Sequence, residues 1–332
     1  MQSRAFKSAT SLALLAILLV PHITVRASPD EDNYPNKPVK LIVPFAVGGA
    51  VDIIGRQMGL ALSESLKSSF VVENRPGAGG LVALESVANA TADGYTLAVG
   101  AAGPLTMSPS LYAGTHKFDP LTRLKPIIWY ASTPGVLIVG PTVKADSVQA
   151  LVAESRQSPS PMDMGSAGSG SINHLMGEFF QKKAGVTWTH IPFKGSAPAL
   201  TELMSGRIQV MMDIVPTAAP LLSSGKVKIL AVTTPKRSTM LPQTPTLMEL
   251  GFKDFDVSSW ISLMAPAGTP NAVVHKLHDA LEQALKASDV RARLTNIGAE
   301  PEGGPPERVT QRMGVELTRW ATIIKESGAT AD

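Results

Sequence analysis

Val39-Lys40-Leu41-Ile42-Val43-Pro44-Phe45-Ala46-Val47-Gly48-Gly49-Ala50-Val51-Asp52 is the stretch on which the fold turns. Residues 39–45 are apolar apart from Lys40 and read as a buried strand. Gly48-Gly49 breaks the run. Residues 51–66 then place Ile54, Met58, Leu62 and Leu66 at helical spacing. Strand, glycine-rich loop and helix in this order open a βαβ unit.

The unit recurs outward from there. Residues 70–73 read as a strand, 74–80 as a Pro/Gly loop, 81–90 as a helix and 95–100 as a strand, with Asp93-Gly94 as the turn. A second set begins near Pro126. Its strands fall at 136–139, 162–165, 186–193, 210–213 and 227–233, and its helices at 148–154, 171–183, 197–204 and 217–222. A further strand at 259–266 precedes helices at 271–286, 288–297 and 306–325. Thr269-Pro270 is a helix start signal and Gly298 a stop. The alternation predicts an α/β fold with a largely parallel sheet and helices on both faces.

The composition agrees. The 332 residues are 44% hydrophobic and 17% charged, which excludes disorder and permits a large core. Zero cysteines exclude disulfides, thiolate metal sites and cysteine nucleophiles. The net charge of +3 has a local origin. Arg4, Lys7 and Arg26 are uncompensated within residues 1–27, and the remaining 27 basic side chains match 27 acidic ones. A balanced chain from Ala27 onward argues against nucleic acid as a partner. Residues 12–20 are unbroken apolar, Pro21 follows, and Val25-Arg26-Ala27 offers small residues for cleavage. This is a secretory-signal pattern over residues 1–27, too short to span a bilayer. The mature protein is expected to be exported and soluble.

Several strands run into glycine-rich loops that open helices. Two are residues 45–52 and 165–174; others are Gly100-Ala101-Ala102-Gly103 and Phe193-Lys194-Gly195-Ser196. In open α/β sheets ligands lie beyond the carboxyl ends of strands. Helix-opening N–H groups lack partners and carry partial positive charge, so such loops suit anions. Two facing loops would grip a small dicarboxylate. A single such loop is more simply a tight turn; it is their number that points to a shared site. Asp52, a carboxylate, would repel an anion, so its expected task is to cap its helix or orient the loop; alternatively it meets an amine or hydroxyl on the ligand. His174 either donates to a ligand oxygen or bonds the neighbouring loop. The six histidines show no metal-ligand spacing, and no nucleophile elbow, Walker loop or dinucleotide fingerprint is present. No metal or cofactor is expected.

A series of motifs then falls in order. Tyr34-Pro35-x-Lys37-Pro38 leads to Val43-Pro44-Phe45-x-x-Gly48-Gly49-x-x-Asp52-x-x-x-Arg56. Glu73-Asn74-Arg75-Pro76-Gly77-Ala78-Gly79-Gly80 and Asp93-Gly94-Tyr95-Thr96-Leu97 follow. Later come Gly165-Ser166-x-Gly168-x-Gly170-Ser171-x-x-His174, Pro192-Phe193-Lys194-Gly195, Pro242-x-x-Pro245-Thr246 and Ala265-Pro266-Ala267-Gly268-Thr269-Pro270. From Tyr34 onward the chain resembles the Bug-type substrate-binding receptors of tripartite tricarboxylate transporters.

That resemblance implies a two-lobed periplasmic binding protein with its ligand cleft between the lobes. Residues 28–129 and 252–332 would form the first lobe and 130–251 the second. It implies a small carboxylic acid as ligand, held by the loops 45–52 and 165–174 with bridging waters, and a membrane permease as partner. The residues carried over are Phe45, Ala46, Gly48, Gly49 and Asp52 on the first loop. On the second they are Ser166, Gly168, Ser169, Ser171 and His174, with Ala102 and Asp213 at strand ends. The chain departs from the family at Ala50-Val51, where Pro-Thr is frequent, at Ser108, where Asn is usual, and at Phe193, where Tyr is common. The protein is expected to be a monomer. Two other roles remain open at this level: a receptor signalling to a sensor kinase, and an exported hydrolase using Ser171 and His174.

Overall fold

The computed structural model describes residues 33–331. The predicted leader, residues 1–27, lies outside them. Among the described residues no helix is long and apolar enough to cross a membrane.

Strands β1 (Val39–Val43), β2 (Phe70–Asn74) and β3 (Thr96–Ala101) alternate with helices α1 (Ala50–Leu66) and α2 (Leu81–Ala88). A π-helical turn at Gly103–Met107 leads through α3 (Ser108–Leu111) and α4 (Pro120–Arg123) into β4 (Leu124–Val139). Then come α5 (Val148–Gln157), β5 (Met162–Ser166), α6 (Ile172–Ala184), β6 (Trp188–Pro192), α7 (Ser196–Met204) and β7 (Val210–Ile214). The short α8 (Val215–Ala218) and a 3-10 turn precede β8 (Lys228–Val232). The chain closes with β9 (Ser258–Pro266), α9 (Asn271–Ala284), α10 (Ser288–Asn296), β10 (Glu300–Pro301) and α11 (Glu307–Ser327).

The predicted elements form, most within a few residues of their expected bounds. Helix α9 starts at Asn271, so Pro270 is its cap rather than its first residue. Gly298, at φ +78°, follows α10 as the stop signal requires. The sheet itself differs from the expectation. Its order is β2-β1-β3-β9-β4-β7-β5-β6, and it is mixed. Strand β1 is parallel to β2 and β3, and β5 is parallel to β6 and β7. Strand β9 runs antiparallel to β3 and β4, and β4 antiparallel to β7, β8 and β10.

Strand β4 is the structural pivot. It runs 16 residues, where the sequence pattern shows only its last four. Pro126, Pro134 and the Ser132-Thr133 pair hide the rest. The structure accommodates Pro126 beside a register shift, and Pro134 where β4 changes partners. Residues up to Pro134 pair with β9; from Gly135 they pair with β7 and β8. A Cβ on Gly135 would lie 2.5 Å from Thr233 Oγ1 and 2.7 Å from Met176 Sδ, so only glycine lets β4 pass there.

The chain's end returns to its beginning. Helix α9 packs on α1, and α11 on the Gly103–Met107 turn. Buried Glu316 on α11 accepts from Trp260 Nε1 at 2.8 Å and from Thr106 Oγ1 at 3.2 Å. This joins α11, β9 and the turn that borders the site described next.

Candidate functional site

The first loop is shaped from below by Asp52, the third residue of α1. Its Oδ2 accepts from Gly48 N–H at 2.9 Å, and its Oδ1 from Asn74 Nδ2 at 2.9 Å. The same Asn74 nitrogen donates to Phe45 O at 2.9 Å. Arg56, one turn along, donates from Nε at 3.1 Å and pairs through Nη2 at 2.9 Å. Burial alone would raise the carboxyl's pKa. Hydrogen bonds from Arg56, Gly48 and Asn74, with the Arg56 charge, hold it below the ordinary range. Asp52 therefore orients the loop, while Gly49 occupies the cap position of α1.

The second loop, 165–171, is held from behind in the same way. Ser166 Oγ accepts from Gly168 N–H at 3.0 Å and shares a 2.6 Å hydrogen bond with His190 Nε2. Ser171 caps α6 through His174 N–H at 3.3 Å. Gly170 N–H donates to His174 Nδ1 at 3.2 Å, which makes that nitrogen an acceptor and the ring neutral. The imidazole of His190 stacks on it at 3.8 Å, tilted 8°. Burial and the His190 ring push His174 down to about 3.

The loops meet. Ala46 N–H donates to Lys194 O at 3.3 Å. Tyr112 OH donates to Ser169 O at 3.1 Å, and Ser108 Oγ lies 2.9 Å from Gly79 O and 3.0 Å from Gly170 O. Between them lies a narrow crevice of about 20 Å³. Phe45, Val51, Ala101, Pro104, Ala167, Ile172 and Ile214 supply its apolar wall, and Asn173, Ser196 and Ser259 its polar side chains. No charged side chain among the described residues lines it. The first turns of α1, α6 and α7 open onto it at Ala50, Ile172 and Ser196, where backbone N–H groups have no intrahelical acceptor. Phe45 and Ala167 also border a roomier outer groove of about 250 Å³ that reaches Gly79, Ser169 and Lys194.

Of the residues singled out from sequence, Phe45 and Gly49 line the crevice, and Phe45, Gly168 and Ser169 line the outer groove. Ala46 and Gly48 shape the first loop beside them. Ala102 is buried between the lining residues Ala101 and Gly103. Asp52, Ser166, Ser171, His174 and Asp213 stand behind the lining and hold it. For His174, of its two possible tasks, the structure has the bond to the neighbouring loop. Asn173 and Ser196 line the site and were not singled out; each had a signal, Asn173 beside His174 and Ser196 after Gly195. No hydrogen bond joins Ser171 Oγ to the His174 ring among the described residues, so the hydrolase pair is not assembled. Nor do His, Asp and Glu gather there into a metal-holding group.

A family model described as the tripartite tricarboxylate transporter family receptor matches residues 54–329. The chain belongs to that receptor family. Protein BugT of Bordetella pertussis is 33% identical over 319 residues, covering 96% of this chain and 97% of BugT. An R. palustris protein solved with adipate is 36% identical with a TM-score of 0.86, over 90% of this chain and all of that one. MatC from Rhodopseudomonas palustris, solved with bound malate, is 32% identical with a TM-score of 0.83, over 88% of this chain and all of MatC. Receptors of this family are periplasmic solute-binding proteins, not enzymes. The two-lobed α/β binding-protein fold expected from the resemblance is the fold of these relatives.

One site prediction follows directly. A Cβ on Gly49 would lie 3.6 Å from Ala46 O and 3.8 Å from Ser196 N, so alanine fits but valine projects methyls toward the Ser196 amide. Gly49→Val is expected to weaken ligand binding at least tenfold while lowering stability by less than about 1 kcal/mol. Calorimetry and urea melts check the two halves; undiminished affinity removes this loop from the site.

Proposed function

We propose that the crevice binds a carboxylate group of a small organic acid and that the protein passes the acid to a tripartite permease in the membrane. The observation that carries this reading is the convergence of three helix N-termini, α1, α6 and α7, on one apolar crevice without a charged side chain. Partial positive charge from the helix ends favours an anion there, and the apolar wall accepts its carbon chain. The acids bound by the adipate and malate relatives support the same chemistry. Titration calorimetry against mono-, di- and tricarboxylates tests it. Saturable one-to-one binding without turnover is expected, and failure of every acid to bind rejects it.

The lobes meet near residues 130 and 251, the first crossing lying within β4. Hinge motion centres where β4 changes partners at Pro134 and Gly135, beside the return from β8 to β9. Ligand favours the closed arrangement and shifts the population toward it. Gly79 offers a test. Its φ is +59°, and a Cβ would lie 2.5 Å from both Ser108 Oγ and Ser169 O. Gly79→Ala is expected to hold the two loops apart and weaken binding about tenfold or more. Small-angle scattering should show a smaller ligand-induced contraction than in the wild type; an equal contraction with equal affinity argues against closure at this contact.

Residues 1–27 act as the export signal. Deleting them is expected to leave a folded protein in the cytoplasm, read by cell fractionation. Export of the truncated chain would disprove the assignment.

A further inference from the structure

Asp213 lies behind the crevice, fully buried. Its Oδ1 accepts from Asn173 Nδ2 at 2.8 Å and from Ser196 Oγ at 2.9 Å, and its Oδ2 from Thr217 Oγ1 at 2.8 Å. Asn173 Nδ2 also donates to Met212 O at 3.0 Å. A carboxylate and a carbonyl both face that nitrogen, and neither accepts from an amide oxygen. The amide orientation is therefore fixed by the network, with Oδ1 turned away from Asp213. Ser196 has a single hydroxyl proton, and Asp213 takes it. Asn173 Nδ2 also lies 3.5 Å from Ser196 Oγ, which leaves that hydroxyl one lone pair; two of the three polar side chains lining the crevice, Asn173 and Ser196, thus have lone pairs rather than protons left for a donor on the ligand.

A bare carboxylate has no use for acceptors; the helix amides supply its donors. The acceptor pair calls for a donor on the ligand. We propose that the ligand is a hydroxy acid, its carboxylate on the helix amides and its hydroxyl donating to Ser196 Oγ, with Asp213 as the positioning residue that sets this preference. The inference rests on the carboxylate reading above and narrows it.

Calorimetry on the purified protein with matched acids tests it: malate against succinate, lactate against propionate, and aspartate as an ammonium-bearing control. The hydroxy acid of each pair is expected to bind about tenfold more tightly than its deoxy partner, the value of one well-placed hydrogen bond. In Ser196→Ala that ratio is expected to fall to about threefold or less. Equal affinities within the pairs in the wild type would overturn the inference, because a water would then be supplying the donor. So would an unchanged ratio in Ser196→Ala, or aspartate binding more tightly than malate. If none of the acids binds, the carboxylate reading itself falls, and the inference with it.

Discussion

Asp213→Ala is expected to destabilise the fold more at pH 4 than at pH 7. The carboxylate is the common acceptor for Asn173, Ser196, Thr217 and the Ile214 N–H. Two of these have a second acceptor, Met212 O for Asn173 and Ile214 O for Thr217. Ser196 and the Ile214 amide are left stranded, at about 1–3 kcal/mol each. Against this stands a penalty already present in the wild type. Burial pushes Asp213 up from 3.8 to about 6, despite the hydrogen bonds it accepts. A raised carboxyl contributes stability below its unfolded pKa and loses it as pH rises through the folded one. Ionised at pH 7, Asp213 therefore costs on the order of 3 kcal/mol, which the alanine variant escapes. The net loss should be roughly 2 kcal/mol at pH 7 and roughly 4 kcal/mol or more at pH 4. Urea melts at the two pH values decide it. A smaller loss at pH 4 would mean that the fold prefers the ionised group.

The strand–loop–helix units were legible because period and punctuation agree in them. Ile54, Met58 and Leu62 mark the buried face of α1, and all three are fully buried. The antiparallel centre was not legible. Two prolines and a Ser-Thr pair mask β4, and strand direction has no local signature when a strand is buried on both faces. The glycine loops were readable as binding loops for the same reason that they fold as they do: a helix opening leaves amides free. Within them the resemblance carried Ser166 and Ser171 over as ligand-binding residues. The structure places Ser166 and Ser171 behind the loops, as acceptors for backbone N–H groups. A serine near a helix start serves the backbone first, because an unsatisfied buried amide costs more than a ligand contact returns. The apolar lining residues Pro104 and Ile214 carry no signal at all, since they read as core until the cleft is seen.

The acid side of the stability curve should belong to His174, and His174→Phe should reverse sign across it. The ring is buried, stacked on His190, and 3.7 Å from Glu178 through Nε2. Burial, with the His190 ring, lowers it from 6.5 to about 3. Burial also raises the Glu178 carboxyl, which weakens it as a partner for an imidazolium. A depressed base contributes stability above its unfolded pKa and loses it as pH falls toward the folded one. Between about pH 6.5 and pH 3 the unfolded chain takes up a proton that the fold refuses, a loss on the order of 4–5 kcal/mol. Asp213 works the other way between 3.8 and 6 and offsets part of this. Phenylalanine keeps the flat ring against His190 but removes the acceptor for Gly170 N–H, at about 1–2 kcal/mol. At pH 7.5 the variant should therefore be less stable than the wild type by that amount. At pH 4 it should be the more stable of the two, because it has no proton to refuse and Asp213 then acts unopposed. Thermal melts across that range read the crossing directly. Parallel curves would mean that His174 charges inside the fold, against Glu178, and that the loop it holds is released by acid.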